Sequence, residues 1–176
     1  PEEYLTQKED KPWTTEKQED IFPQIKMDKT ICLGWHQMMG VVGSADLQLK
    51  TSQATSLNVI SPTWFALSDN KGNISSLAST DYVSAAHAKG MKVWGLVNDF
   101  DEKKNNINIK KILGRTSIRT NLINNLVTTA MSYNLDGINV DFEKITEKTA
   151  PAYLEFLREL VLACHANNIV VSVDDY

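Results

Sequence analysis

From Thr30 onward, short apolar runs alternate with longer stretches of helical spacing. Thr30–Gln37, Leu57–Phe65, Met91–Val97 and Ile169–Val173 read as buried strands, the second ending near Pro62. Thr80–Lys89, Arg115–Tyr133 and most of Glu147–Asn167 space their apolar residues by three and four, which gathers them on one helix face. Ile118, Leu122, Ile123, Leu126, Thr129 and Ala130 form one such stripe; Tyr153, Leu154, Leu157, Leu160, Val161 and Cys164 form another. Ser79 or Thr80 can cap the first helix and Gly90 can end it, while Pro151 suits the first turn of the last. Ile109–Leu113 is a short turn of helix. Met38–Leu49, with Gly40, Gly43 and Ser44, is expected as a loop, as is the polar stretch Asn98–Asn108, and Asp69–Gly72 carries a turn signal.

Asp136-Gly137-Ile138-Asn139-Val140-Asp141-Phe142-Glu143 supplies one further strand. Its apolar residues alternate with an amide and two carboxylates, so Asn139, Asp141 and Glu143 share a face. Aiming like charges at one place is costly and raises the pKa of at least one of them. A protonated carboxyl beside an ionised one is equipment for splitting a glycosidic bond. Asp136 has the wrong parity to join them and reads as structural, with Gly137, unless a bulge intervenes. Strands alternating with helices predict βαβ units and a parallel sheet.

Composition narrows the field. The 176 residues suffice for one domain with a core, and 42% are hydrophobic. A formal charge of -4 without a Lys/Arg run argues against nucleic acid, and no apolar stretch is long enough to span a bilayer. Residues 1–28 are polar and weakly periodic, a lead-in that Trp13, Ile21 and Phe22 could pin down. The chain begins at Pro1 without a signal peptide and reads as a piece of a longer protein. Cys32 and Cys164 are expected as buried free thiols. His36, His87 and His165 lie far apart with no metal-ligand spacing.

The stretch 136–143 resembles the signature of family 18 glycoside hydrolases, the chitinase-like family, at every position of its pattern Asp-Gly-apolar-Asp/Asn-apolar-Asp-aromatic/apolar-Glu. The resemblance implies an α/β fold, a partial (β/α)8 TIM barrel comprising about the first five strands over residues 29–176, with the signature on strand four. A whole barrel takes about 250 residues, so three strands are expected to lie outside this segment. Taken alone, the segment is expected to leave open sheet edges, to self-associate and to lack activity. The family's frequent Ser-x-Gly-Gly on the third strand is absent, and Val93-Trp94-Gly95-Leu96-Val97 stands there, as in divergent bacterial branches that include spore and cell-wall enzymes.

The resemblance also implies roles. Glu143 is the general acid that protonates the leaving oxygen and then the base for water. Asp141 orients the 2-acetamido group of N-acetylglucosamine, whose oxygen attacks the anomeric carbon. Asn139 stands where many relatives have Asp and serves either a catalytic or a hydrogen-bonding role. Trp35, Trp64 and Trp94 each lie in or near the end of a predicted strand and are read as core or as sugar-stacking platforms. Asn98 and Tyr176 are further substrate-binding candidates, and His36 and Asp99 weaker ones at the rim. The implied reaction is retaining hydrolysis of β-1,4 bonds next to N-acetylglucosamine, in chitin-type oligomers or peptidoglycan, by an extracellular or wall-associated bacterial protein. No metal or organic cofactor is implied. The alternatives are a non-catalytic sugar-binding member of the fold, which usually lacks the acid at the position of Glu143, and an unrelated barrel that uses a metal.

Overall fold

The computed structural model describes residues 25–40, 44–100 and 106–174. Most of the lead-in, including Trp13, Ile21 and Phe22, lies outside the described residues, as does Tyr176. In chain order the elements are β1 (Leu33–His36), α1 (Ser44–Thr51), β2 (Val59–Pro62), β3 (Phe65–Leu67), β4 (Ile74–Ser76), α2 (Thr80–Ala88) and β5 (Lys92–Asn98). There follow α3 (Ile109–Gly114), α4 (Thr116–Ser132), β6 (Gly137–Asp141), α5 (Ala150–His165) and β7 (Val170–Val173).

Strands β1, β2, β5, β6 and β7 pair side by side, all parallel, in chain order. Sequential parallel neighbours joined by helices make an α/β sheet that is the open part of a (β/α)8 barrel. The second barrel strand is broken. Ile60 pairs with Val93 and Phe65 with Val97, so β2 and β3 together carry one residue more than β5 opposite them. This is a bulge at Thr63–Trp64. After it, β3 turns back through Asp69–Gly72 into antiparallel β4, a hairpin the sequence showed only as a turn. The Asp69 carboxylate accepts the backbone N–H groups of Lys71 and Asn73, and Gly72 sits at φ +86.

The two faces of the sheet differ. Val93, Val97, Ile138 and Val140 pack under the helices with Tyr82, Leu122, Leu126, Phe156 and Leu160. Arg119, buried on α4, donates from Nε and Nη2 to the two carboxylate oxygens of Glu159 on α5, at 2.7 and 2.6 Å, and clamps the helices that flank β6. The opposite, helix-free face carries Trp94, Gly137, Ser61, Asn139, Ser172 and Asp141. Gly137 is required there, because a Cβ on it would lie 2.6 Å from Cδ1 of the Trp94 indole.

Three expectations need correction. The second half of Met38–Leu49 is helix α1, because Ala45, Leu47, Gln48, Leu49 and Lys50 are good helix formers and Leu47 finds a fully buried place. Cys32 is exposed: it precedes an edge strand, and its backbone is tied to the neighbouring strand, the N–H by the Asn58 side chain and the carbonyl by the Asn58 and Val59 N–H groups. On α5 the buried line is Phe156, Leu160 and Cys164, whereas Leu154 faces outward at 55% exposure.

Candidate active site

Alternation along β6 delivers Asn139 and Asp141 to the helix-free face, and the register sets their neighbours. Asn139 stands level with Leu96 and Ser172, and Asp141 with Asn98. Asn139 is fully buried and fully wired. Its Nδ2 donates to Asp174 Oδ2 at 2.9 Å and to Ser61 Oγ at 3.3 Å, while its Oδ1 accepts the Ser172 hydroxyl at 2.6 Å. Asp141 is half-buried at the strand end, and its pKa is pushed up to about 6, first by burial, then by the negative charges of Asp174, Glu143 and Asp99. A carboxyl near that value is mostly ionised at neutral pH and takes up a proton as the pH falls through 6, a perturbation of the kind found at functional sites.

Glu143 lies two residues past Asp141, beyond the end of β6. Its backbone N–H and that of Lys144 both bond Asp99, at 3.0 Å each, so Asp99 fixes the path of the motif where it leaves the sheet. Burial pushes the Asp99 carboxyl up, against the pull of those two N–H groups and of Lys144. The Glu143 side chain is about one-third exposed, with Lys144 Nζ at 4.0 Å from its Oε2.

A cleft of about 960 Å³ opens at this end of the sheet, lined by Trp35, Trp64, Asn98, Phe100, Asp141 and Asp174 among others. Trp35 is 64% exposed and donates its indole N–H to Asp174 Oδ2 at 3.1 Å, which presents the ring to the cleft. Trp64 contributes only an edge. The bulge turns it into the core, where it meets Tyr82 edge-on with centroids 5.1 Å apart, and its indole N–H has no partner among the described residues. Asn98 lines the cleft and caps the turn to Phe100.

The remaining candidates lie elsewhere. Trp94 is level with Gly137 at the opposite end of the strands, beside Lys92 and Asp136 in a smaller cavity of about 370 Å³. His36 faces the helices, its Nδ1 2.7 Å from the Tyr82 hydroxyl. Asp136 holds the base of the sheet: it accepts from Lys92 Nζ at 2.7 Å and the Val93 N–H at 2.9 Å and meets His87 Nε2 at 2.7 Å. The residue that sequence reasoning missed is Asp174. Its signal was the parity of Val170, Ser172 and Asp174, which repeats that of β6 one strand along. Among the described residues, no group of three His, Cys, Asp or Glu side chains is arranged to hold a metal, and no helix is long and apolar enough to cross a membrane.

Comparison with known proteins agrees with the signature. No family model matches the chain. A curated relative, the uncharacterized glycosylase YvbX of Bacillus subtilis (strain 168), is 24% identical over 126 residues, which is 70% of this chain and 36% of that protein. The spore cortex-lytic enzyme SleL of Bacillus megaterium QM B1551 superposes with a TM-score of 0.68 at 19% identity over 80% of this chain and 33% of its own. A chitinase from Chromobacterium violaceum ATCC 12472 gives 0.64 at 21% identity over 81% of this chain and 45% of its own. The chain thus shares the fold of chitinases and spore cortex-lytic enzymes, and spans less than half the length of each.

Proposed function

We propose that this chain carries the acid-bearing part of a glycoside hydrolase site that cleaves β-1,4 bonds next to N-acetylglucosamine, with retention and with substrate assistance. The carrying observation is the charge cluster at the end of β6, where burial and the neighbouring carboxylates hold Asp141 at a pKa of about 6 within the family 18 signature. In this reading the Glu143 carboxyl protonates the glycosidic oxygen as the bond from the anomeric carbon breaks. The acetamido oxygen closes onto that carbon, and ionised Asp141 stabilises the oxazolinium that forms. Water then attacks the anomeric carbon and gives its proton to Glu143. Trp35 offers its exposed ring to a sugar face, and Asn98 lines the same cleft.

Chitin-type oligomers and peptidoglycan share the bond in question, and the chitinase and spore cortex-lytic neighbours support both. Such polymers lie outside the membrane, which favours a secreted or wall-associated protein. Residues 29–176 then act as the first five strands of a barrel whose other strands complete the site.

The test uses the full-length protein, wild type beside Glu143→Gln, on a fluorogenic N-acetylglucosamine oligomer and on purified peptidoglycan. Wild type should turn over at least one substrate, and the variant should lose about 100-fold or more while still binding. Sugar binding without cleavage by wild type would instead mark a lectin-like member, and no binding to either polymer would overturn the substrate class.

A further inference from the structure

Asn139 occupies a position where many family 18 proteins have Asp, which leaves the motif one carboxylate short. A carboxylate from the next strand, Asp174, is bonded to the Asn139 amide. We propose that Asp174 is a positioning residue for Asp141: from the end of β7 it supplies the second carboxylate that the motif lacks at Asn139.

Three observations support this, and it rests on the function proposed above. First, the placement is built into the backbone. Val140 pairs with Val173, and the Asp174 N–H donates to the Val140 carbonyl at 2.9 Å, so parallel pairing carries Asp174 up to the level of Asp141 on the same face. Second, the side chain is held. Its Oδ2 accepts two N–H groups, from Asn139 at 2.9 Å and from the Trp35 indole at 3.1 Å. Third, residues 139 and 174 form a matched pair. With Oδ1 taken by Ser172, the Asn139 amide uses its NH₂ end on Asp174. An ionised Asp at 139 has no hydrogen to donate and would repel Asp174 at that distance.

The consequence falls on Asp141. The charged groups around it are Asp174 from β7, Glu143 beyond β6 and Asp99 beyond β5, with Lys144 beside Glu143. His36 on β1 points to the helices. Of the charges, Asp174 contributes most to raising Asp141, after burial itself. Removing it favours the ionised form, so Asp141 should titrate at lower pH.

The experiment follows the Asp141 carboxyl carbon by ¹³C NMR titration in the full-length protein, for wild type, Asp174→Asn and the exchange Asn139→Asp/Asp174→Asn. Asp174→Asn is nearly isosteric and should lower the Asp141 midpoint by about half a pH unit or more. The exchange returns a carboxylate to the site and should bring the midpoint back towards the wild-type value. The acidic limb of the kcat/KM profile should move with the titration in both variants. An unmoved Asp141 midpoint in Asp174→Asn, or no recovery in the exchange, overturns the proposal. Should the midpoints move as stated while no substrate is cleaved, the positioning role stands and the hydrolase reading fails.

Discussion

Two aspartates, Asp136 and Asp141, lie five residues apart in one motif and have opposite fates. At the base of the sheet, Asp136 is surrounded by donors. Burial alone would raise its pKa, but Lys92, the Val93 N–H and His87 outweigh it and bring the carboxyl below its ordinary range. At the other end, Asp141 is surrounded by acids and rises to about 6. One carboxylate is stabilised and joins β5, β6 and the end of α2. The other is disfavoured in its ionised form by burial and by its acidic neighbours. The lesson is that a signature of similar residues divides its labour by position along the strand: the N-terminal end holds the sheet together, and the C-terminal end gathers the acidic cluster on which the proposed chemistry rests.

The comparison can be broken in order of effect. Glu143→Gln at the chemical end should cost orders of magnitude in turnover and little stability. Asp136→Ala at the structural end should do the reverse. It leaves the Val93 N–H without its acceptor and should cost about 1–3 kcal/mol of unfolding free energy, read as a lower urea midpoint, with the pH–rate profile unchanged in shape. Its pH dependence has a definite sign. The folded-state pKa of Asp136 is lowered, so its stabilisation is present above the ordinary carboxylate value near 3.8 and is lost as pH falls below it.

Asp141→Asn should give the smallest change and the opposite sign. Because the folded-state pKa is raised from 3.8 to about 6, ionising Asp141 costs stability at neutral pH, and that cost fades as pH falls through 6 towards 4. The variant should therefore melt above wild type at pH 7 and match it near pH 4. The side chain is partly solvated, which keeps the gain small. A variant less stable than wild type at pH 7 would contradict the assignment of Asp141 as the strained group.

Much of this was legible in the sequence because strand periodicity is rigid. Parity alone separated Asn139 and Asp141 from Asp136, and the wiring of each follows that division. Helix spacing placed α2, α4 and α5 to within a few residues. Parity cannot give height along a strand. Trp94 shares the face of the acids but sits level with Gly137 at the far end, because the β5–β6 register, a tertiary fact, sets its depth. Trp64 is buried by a bulge whose extra residue is defined only against β5. Asp174 escaped notice because a charged residue at a strand end looks like the start of a loop; its role depends on Asn139 and Trp35, 35 and 139 residues away.

The most direct measurement is a carboxyl ¹³C titration of Asp136 and Asp141 in the same wild-type sample. The account predicts that Asp141 titrates near 6 and Asp136 below 3.8. Overlapping curves in the ordinary carboxylate range would contradict it: the two ends of the strand would then be electrostatically alike, and the charge cluster would no longer mark the reactive one.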